Sequence, residues 1–313
     1  MLIDAHAHVF IDPKIKLFPR HTTFMSAGQQ LSIMDRMGIE VSDILALVNP
    51  KTTCVMQNIG EILAICRNYL GRFIPFCNVG PRLTSTFFNS DAKNFVFILE
   101  QFKSLGFKGL GELAARLYWD DPQVLSLFEA CQEVGFPVTF HTTIEESKDY
   151  GLIDEMGFPR FEKILQKFPA LIFIGHSQAF WAEISSEVKR EDKWGYPVGL
   201  VKPKGVVERL MRKYSNLYAD LSANSGFNAL SRDPKHAYEF IDEFQDKLLF
   251  GLDYCSPNND RPLLMWLTDA CRNNLISSEA FEKVTWKNIS RILELDVAQI
   301  AIGVKNGNST YDE

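Results

Sequence analysis

The chain opens with Met1-Leu-Ile-Asp-Ala-His-Ala-His-Val-Phe10, in which two histidines stand two residues apart at the end of a short apolar run. A β-strand turns successive side chains to opposite faces, so a strand here places Asp4, His6 and His8 on one face. Imidazole is a common ligand of transition metals, and two on one face supply half of the protein ligands of such an ion. A His-x-His pair alone is a weak signal, so its meaning depends on the other histidines.

Length and composition are typical of one large globular domain. Hydrophobic residues make up 46% of the 313 residues and charged residues 23%, which is enough apolar material for a sizeable core. The length alone would allow two domains, but α/β barrels of this size form one. The net charge of −6, without a block of Lys or Arg, gives no indication of a nucleic-acid surface.

The distribution of apolar segments and cysteines predicts a cytoplasmic protein. No basic segment followed by an apolar stretch is visible at the N-terminus, and no apolar run reaches membrane-spanning length. The six cysteines are scattered without a Cys-x-x-Cys pair, which fits reduced thiols in a reducing compartment. We therefore expect no membrane partner.

Apolar segments of strand character alternate with segments of helical spacing along the chain. The predicted strands are 1–10, 42–49, 72–79, 107–113, 136–141, 170–176, 217–221 and 247–253. The predicted helices are 29–37, 56–69, 92–105, 122–134, 158–168, 206–214, 235–244, 262–273 and 278–293. This alternation predicts an α/β fold with a parallel sheet, and eight repeats predict its closure into a (β/α)8 TIM barrel. An open doubly wound sheet is the alternative, but no Gly-x-Gly-x-x-Gly follows the first strand.

The domain prediction is a single barrel over residues 1–295, followed by a C-terminal arm or tail over 296–313 that loses periodicity. A long connection from Ser177 to Pro203 carries its own helical segment near 180–190. Its aromatic residues are Phe180, Trp181, Trp194 and Tyr196. They could cover the pocket as a lid, or pack against the barrel or a second subunit, and the sequence leaves these alternatives open.

Further chemistry-bearing residues fall at the ends of predicted strands. His141 ends strand five, His176 ends strand six, Asp253 ends strand eight and Glu112 lies near the end of strand four. The carboxyl ends of barrel strands share one face, where catalytic residues gather, so these side chains should meet around one pocket. Alternation also places Lys108 and Leu110 on the face of Glu112, where Lys108 could neutralise the carboxylate.

The residue types predict a borderline divalent cation. Four histidines with one or two carboxylates fit zinc, with manganese or iron as alternatives, better than magnesium or calcium, which prefer oxygen ligands. Water bound to such a cation can lose its proton near neutral pH. Asp253 would accept that proton and pass it to the leaving group.

These motifs resemble the amidohydrolase superfamily of metal-dependent (β/α)8 hydrolases. The motifs that carry the resemblance are His6-x-His8, His141 in Val-Thr-Phe-His, His176 in Phe-Ile-Gly-His-Ser and Asp253 in Leu-Phe-Gly-Leu-Asp-Tyr. The chain looks like the amidohydrolase-2 group, which also contains aromatic and aminocarboxymuconate-type decarboxylases. The late segment 284–293, Val-Thr-Trp-Lys-Asn-Ile-Ser-Arg-Ile-Leu, is similar to the Asn-Ala-x-Arg-Leu helix found there. The resemblance covers about residues 1–295 and is specific as an ordered set.

The resemblance implies that His6, His8 and His141 coordinate the metal. It implies that Asp253 is both ligand and general base, and that His176 either contacts the substrate and metal-bound water or binds a second metal. Glu112 departs from the mononuclear pattern, although TatD-like nucleases, which are binuclear, carry a Glu in a similar Gly-Glu sequence. One ion or two therefore stays open, because Glu112 could instead orient a ligand histidine. The metal candidates are His6, His8, Glu112, His141, His176 and Asp253, and the catalytic candidates are Asp253 and His176.

Other polar residues have simpler interpretations. We expect His21 and His236 to be satisfied or surface side chains, and Asp4 and Asp220 to be structural hydrogen-bond partners. Four arginines lie in or near predicted loops after strands one, three, four and seven, namely Arg20, Arg82, Arg116 and Arg232. Each could bind a carboxylate or phosphate through paired hydrogen bonds, with a solvated loop charge as the simpler alternative.

The sequence therefore predicts a metal-dependent hydrolase that acts on an amide, lactone or ester bond of a small molecule. A decarboxylase of an aromatic or muconate-type acid on the same scaffold is the alternative, and a catalytically inactive metal- or ligand-binding barrel is a second one. We expect a small-molecule substrate and no nucleic-acid partner. Whether the chain forms a homo-oligomer stays open, because a fold of this kind does not determine substrate or assembly.

Overall fold

Eight parallel strands surround the core in the computed structural model, which describes residues 1–16, 22–47, 56–83, 89–147, 149–298 and 300. They are β1 (Ile3–Ala7), β2 (Val41–Ile44), β3 (Phe73–Pro75), β4 (Leu110–Leu113), β5 (Val138–Thr143), β6 (Phe173–His176), β7 (Leu217–Asp220) and β8 (Leu248–Leu249). Every one lies within or overlaps a predicted strand. Apart from β5, which has the predicted length but begins two residues later, the observed strands are shorter than predicted because their ends turn into loops.

The strands close into a barrel. β1, β2 and β3 pair in that order, and β4 to β8 pair in order in a second sheet. Cys77 N donates to Gly109 O at 2.9 Å and joins β3 to β4. Ala5 N donates to Phe250 O at 3.0 Å and joins β8 back to β1. The predicted (β/α)8 TIM barrel is confirmed, and it places the carboxyl ends of all these strands on one face.

Helices surround the barrel. They are α1 (Ala27–Met37), α2 (Ile59–Asn68), α3 (Ala92–Ser104), α4 (Pro122–Val134), α5 (Pro159–Lys167), α6 (Gln178–Ala182), α7 (Val206–Lys213), α8 (Ala223–Ser231), α9 (Pro234–Phe244), α10 (Leu263–Arg272), α11 (Ser278–Glu282) and α12 (Asn288–Ile292). α4 has the predicted bounds, because Pro122 suits a first turn and Gly135 ends the helix with a φ of 82°. None of the described helices is long and apolar enough to cross a bilayer.

Three elements differ from the predicted helices. α8 was not predicted, since Ala-Asn-Ser-Gly-Phe-Asn has weak helix propensity. The predicted helix 278–293 is interrupted by a π-helical turn at Lys283–Lys287. The long connection forms α6 and a 3₁₀ turn at Arg190–Trp194 in place of one helix. The predicted tail over 296–313 lies almost wholly outside the described residues.

Apolar side chains form two layers. The larger one lies between the strands and the helices and includes Trp119, whose ring is 4.4 Å from that of Phe161 and 4.7 Å from that of Phe140. The smaller one joins residues in or beside β1, β2, β3, β6, β7 and β8 with two residues of the α12 region, and it lies in the barrel interior. Its buried members are Ile3, Ala5, Leu45, Phe76, Ile174, Tyr218, Leu249, Ile289 and Leu293. This filling leaves the site to the carboxyl ends of the strands.

The predicted alternation in β1 is wrong at Asp4. The pairing of β1 with β2 is irregular between Asp4 and Ala7, so the two-residue period breaks before His6. Asp4 accepts hydrogen bonds from Gln30 Nε2 of α1 at 3.2 Å and from Ser42 Oγ at 2.9 Å, so it lies toward the helices. Ile3 and Ala5, not Asp4, fill the barrel interior.

The predicted face of β4 is wrong for a similar reason. Pairing between β4 and β5 is irregular between Leu110 and Leu113. Leu110 packs in the outer layer, whereas Glu112 is buried within the candidate site described below. Lys108 precedes the strand and is exposed, so it does not neutralise Glu112.

Candidate metal centre

The structure brings all six predicted site residues together at the carboxyl face of the barrel. His6 and His8 come from the end of β1, Glu112 from β4, His141 and His176 from β5 and β6, and Asp253 from the segment after β8. Five are buried, and the Asp253 side chain is 16% exposed. The six residues form three overlapping groups, and within each group the possible ligand atoms lie within 4.8 Å of one another. The groups are His6, His176 and Asp253; His6, His8 and Glu112; and Glu112, His141 and His176.

His6 and His8 present a pair of nitrogen atoms to each other. His6 Nδ1 donates to Asp220 Oδ2 at 2.6 Å, and His8 Nδ1 donates to Leu45 O at 2.9 Å. Because these acceptors fix the hydrogen on each Nδ1, each neutral ring turns a lone pair outward at Nε2. The two Nε2 atoms are 3.2 Å apart. Two lone pairs at that distance repel unless a proton or cation binds them, so the pair fits either a shared proton or a metal ion that replaces it.

Carboxylates complete this group. Asp253 Oδ1 lies 3.8 Å from His6 Nε2 and 3.6 Å from His8 Nε2. Glu112 Oε2 lies 3.6 Å from His8 Nε2. Imidazole nitrogens with carboxylate oxygens are a donor set that zinc, manganese and iron accept.

Glu112 also extends toward His141 and His176. Its Oε1 accepts from His141 Nδ1 at 2.7 Å and lies 3.9 Å from His176 Nε2. His141 Nε2 is buried and makes no hydrogen bond to a described residue, and it lies 3.5 Å from Asp149 Oδ2. Glu112 thus faces two groups of nitrogen atoms with its two oxygens. The arrangement suits one cation, or two with Glu112 between them.

Asp220 orients two of the histidines. Its Oδ2 accepts from His6 Nδ1 and lies 3.1 Å from His176 Nδ1. Ser222 Oγ donates to the same oxygen at 2.7 Å, and it lies 3.1 Å from His176 Nδ1. The sequence indicated only a structural hydrogen-bond role for Asp220. A carboxylate behind a ligand histidine fixes the ring and the nitrogen that faces the metal.

The electrostatics favour a positive occupant. Burial lowers the pKa of His8, but the Glu112 and Asp253 carboxylates outweigh it and raise the pKa to about 9. Burial also lowers the pKa of His141, but the Glu112 and Asp149 carboxylates outweigh this effect and raise the pKa to about 9. Burial would raise the pKa of Asp220, yet the histidine pair that it contacts holds it well below its usual value. The cluster therefore holds protons, which a divalent cation can replace.

Two glycines let the chain approach the site closely. A Cβ on Gly251 would lie 2.9 Å from Asp220 Oδ1 and 3.1 Å from His6 Cβ. Gly151 has a φ of 122°, and a Cβ there would lie 2.8 Å from His141 O. This approach sets the ring of Tyr150 at 4.4 Å from that of His141. The contacts require residues without a side chain at both positions.

The sequence reasoning missed Asp149 and Tyr150, which lie in the loop after β5 and carry no motif. Arg116 holds this loop, since its guanidinium donates to the main-chain oxygens of Ile144, Glu145, Ser147 and Asp149. Arg82 in turn donates to Ala115 O and Arg116 O. Both arginines therefore bind main-chain carbonyls, and Arg82 is also exposed to solvent.

The remaining polar candidates lie elsewhere. His236 pairs with Glu208 at 2.7 Å, as expected of a satisfied histidine. Arg232 is partly buried, and its Nε and Nη2 find no acceptor among the described residues. Arg20 and His21 lie outside the described residues.

The aromatic residues of the long connection separate into two pairs. Phe180 and Trp181 are buried and pack against the barrel. Trp181 Nε1 also donates to Asp220 O at 2.9 Å, so α6 supports the strand end that carries Asp220. Trp194 and Tyr196 are 44% and 50% exposed. Of the alternatives left open by the sequence, packing against the barrel is therefore the one that holds for Phe180 and Trp181.

A family model described as Amidohydrolase matches residues 3–295. No curated protein matches the chain.

Solved structures share the fold. One is a probable 2-pyrone-4,6-dicarboxylic acid hydrolase from Acinetobacter baumannii, with 14% identity over 94% of this chain and 99% of that chain and a TM-score of 0.57. A dihydroxybenzoic acid decarboxylase from Polaromonas sp. JS666 with bound manganese has 16% identity over 96% and 98%, with a TM-score of 0.54. An amidohydrolase from Burkholderia multivorans with bound zinc has 11% identity over 94% and 99%, with a TM-score of 0.58. At these identities the likeness shows the fold alone.

Proposed function

This chain belongs to the amidohydrolase family whose model spans residues 3–295, and on that premise we propose that it is a metal-dependent hydrolase of small-molecule amides, lactones or esters. The observation that carries the proposal is the facing pair of Nε2 atoms on His6 and His8, 3.2 Å apart and flanked by two carboxylates. A buried arrangement of this kind has no evident structural use, because the apolar layers already hold the barrel together.

The proposed ligands are the six residues of the cluster. His6 and His8 would bind through Nε2, and Glu112 and Asp253 would add oxygen donors that lie within 4 Å of these nitrogens. His141 and His176 would bind a second ion or contact the substrate. Zinc is the proposed ion, with manganese or iron as alternatives, in one copy or two. Support comes from the mixed nitrogen and oxygen donor set and from the manganese and zinc in two structures of the same fold.

Each residue has a role in the proposed hydrolysis. A bound divalent cation supplies Lewis acidity, so that water at the site gives up a proton near neutral pH. Asp253 is the proposed general base, since its carboxylate is the more exposed one and lies within 4 Å of both Nε2 atoms of the pair. It takes the proton from the attacking water and passes it to the leaving group. Asp220 and Ser222 hold His176 toward the same space.

Decarboxylation of an aromatic or muconate-type acid is the second candidate. The similar structures include a dihydroxybenzoic acid decarboxylase beside the probable dicarboxylic acid hydrolase. In that reaction Asp253 would transfer a proton at the carbon that loses carbon dioxide. A catalytically inactive metal-binding barrel is the third candidate, which the placement of Asp253 disfavours, because binding alone needs no base beside the metal. A small-molecule substrate and a cytoplasmic location are parts of the same proposal.

The test begins with elemental analysis of the purified protein for zinc, manganese and iron. The loaded protein is then offered panels of lactones, esters, amides and aromatic acids in ¹⁸O-labelled water. Incorporation of ¹⁸O into the product without release of carbon dioxide supports hydrolysis, and the reverse supports decarboxylation. The double variant His6→Ala/His8→Ala should lose metal and activity, whereas His236→Ala, outside the cluster, should keep both. A metal-free wild type whose activity survives the double substitution would contradict the proposal.

A further inference from the structure

Asp253 lies in an unusual main-chain conformation. Its φ is 51°, in the left-handed region that residues with a Cβ rarely adopt. β8 ends at Leu249, four residues earlier, and among the described residues the segment beyond it keeps only an isolated parallel bridge between Ala7 and Tyr254, the residue after Asp253. Such a conformation persists only where neighbouring groups stabilise it.

Contacts from β1 hold the amide side of this segment. Asp253 N donates to His6 O at 2.8 Å. Leu252 N donates to Asp4 Oδ1, also at 2.8 Å. These bonds fix where the segment passes His6, and neither of them contacts the Asp253 carbonyl.

Arg261 holds the carbonyl side. Its Nη2 donates to Asp253 O at 2.8 Å, and its Nε donates to Leu252 O at 2.6 Å and to Asp253 O at 3.2 Å. The planar guanidinium thus binds two successive carbonyls at once, which the point charge of a lysine cannot reproduce. Its charge lies 5.8 Å from the centre of the Tyr254 ring. The two peptide oxygens are therefore fixed relative to each other.

The same guanidinium reaches the segment that follows β7, the strand that pairs with β8. Arg261 Nη1 donates to Asn224 Oδ1 at 3.2 Å. Asn224 lies in α8, two residues after Ser222, whose hydroxyl contacts Asp220 and His176. Arg261 therefore connects the segment that carries Asp253 with the segment that follows β7.

We propose that Arg261 is a positioning residue for Asp253, which sets the carboxylate beside the Nε2 atoms of His6 and His8 through two main-chain carbonyls. The base role of Asp253 rests on the function proposed above, but its placement by Arg261 does not. Arg261 has no hydrogen-bonded carboxylate among the described residues, so its contacts serve the main chain and the Asn224 side chain.

The test compares Arg261→Met and Arg261→Lys with Arg72→Met. Arg72 is the control, because it also binds main-chain oxygens, those of Ile39 and Glu40, away from the cluster, although it pairs with the Asp35 carboxylate as well. Crystal structures determined without added metal report whether Asp253 Oδ1 stays within 4 Å of the histidine pair, as in the wild type. Titration with Co²⁺, followed by its visible absorption, reports the affinity of the site.

We expect the Asp253 carboxylate to turn away in Arg261→Met, and Co²⁺ affinity to fall about 10- to 100-fold, the range for groups that orient metal ligands. Arg261→Lys, with one donor group, should fall between Arg261→Met and the wild type, and Arg72→Met should match the wild type. An unmoved carboxylate with Co²⁺ affinity within twofold of the wild type would overturn the proposal. If the wild type binds no Co²⁺, the proposed function fails, yet the crystal structures still decide the placement. If Arg261→Met does not fold, Arg261→Lys decides it by the same measurements.

Discussion

Asp220 Oδ2 lies 2.6 Å from His6 Nδ1, a buried contact between the end of β7 and the end of β1. The two residues are 214 positions apart in the chain. The contact fixes the hydrogen of His6 on Nδ1 and leaves Nε2 facing His8. Much of the site's geometry follows from this one carboxylate, which also contacts His176.

The first prediction concerns Asp220→Asn. The amide keeps the size of the side chain but removes the charge that orients both rings, so zinc or cobalt affinity should fall about 10- to 100-fold. Asp121→Asn is the control, because Asp121 is the N-cap of α4 and not one of the cluster residues, and Asn caps a helix equally well. Isothermal titration with the metal checks both variants. Equal affinities in the two variants would show that Asp220 does not support the ligands.

The second prediction concerns protons released by the metal. Burial lowers the pKa of His8, but the Glu112 and Asp253 carboxylates outweigh it and raise the pKa to about 9. The pKa of His141 is raised to about 9 in the same way by Glu112 and Asp149. At pH 7 both rings are therefore protonated before the metal binds, and a ring that becomes a ligand must lose its proton. Affinity should rise with pH from 6 to 9, with close to one proton released at pH 7 if His8 binds without His141, and close to two if both bind. Calorimetry in buffers of different ionisation enthalpy measures the release, and an affinity independent of pH would contradict the prediction.

The third prediction concerns Asp43, which lies on β2 and is fully buried. Neither carboxylate oxygen has a hydrogen-bond partner among the described residues. Burial raises its pKa well above the usual value, and Asp4 and Asp220 add to the effect. The folded protein thus keeps a proton that the unfolded chain loses above about pH 4, so Asp43 costs stability increasingly as pH rises from 4.

Asp43→Asn cannot ionise, so the variant should gain stability over the wild type at pH 7. The gain should reach about 1 kcal/mol or more, since each unit of pKa is worth about 1.4 kcal/mol. Urea unfolding at pH 4, 7 and 8 measures it. The gain should vanish at pH 4, and a gain of equal size at all three values would show that ionisation of Asp43 is not the cause.

The fourth prediction compares two glycine substitutions. Gly251→Ala places a Cβ 2.9 Å from both Asp220 Oδ1 and Ser222 Cβ, so the site must shift. We expect a loss of about 1–3 kcal/mol in unfolding free energy and weaker metal binding. Gly28→Ala in α1 meets nothing within 4 Å and should stabilise the protein by up to about 1 kcal/mol. Thermal unfolding and metal titration separate the two, and a Gly251→Ala variant that behaves like Gly28→Ala would refute the close approach.

The sequence predicted well what depends on local pattern. Strands and helices have short sequence periods that follow from backbone geometry. Their alternation therefore predicted the barrel, and the bounds of α4 were predicted to the exact residue. It also predicted that His141, His176 and Asp253 end their strands. His176 does, whereas β5 continues to Thr143 and Asp253 lies four residues beyond β8, yet parallel closure brings all three to one face. Local pattern was wrong for Asp4 and for Lys108, because irregular pairing with the neighbouring strand broke the two-residue period.

The sequence by itself thus determined the barrel and the side chains that gather at its rim. Only the tertiary structure decided what each of them contacts. The bonds of Asp220 to His6 and of Arg261 to the carbonyl of Asp253 join segments through loop conformations that no short motif encodes. The physical reason is that a hydrogen bond depends on distances of a few tenths of an ångström, which the packing of the whole chain sets, whereas strand and helix periods are properties of neighbouring residues.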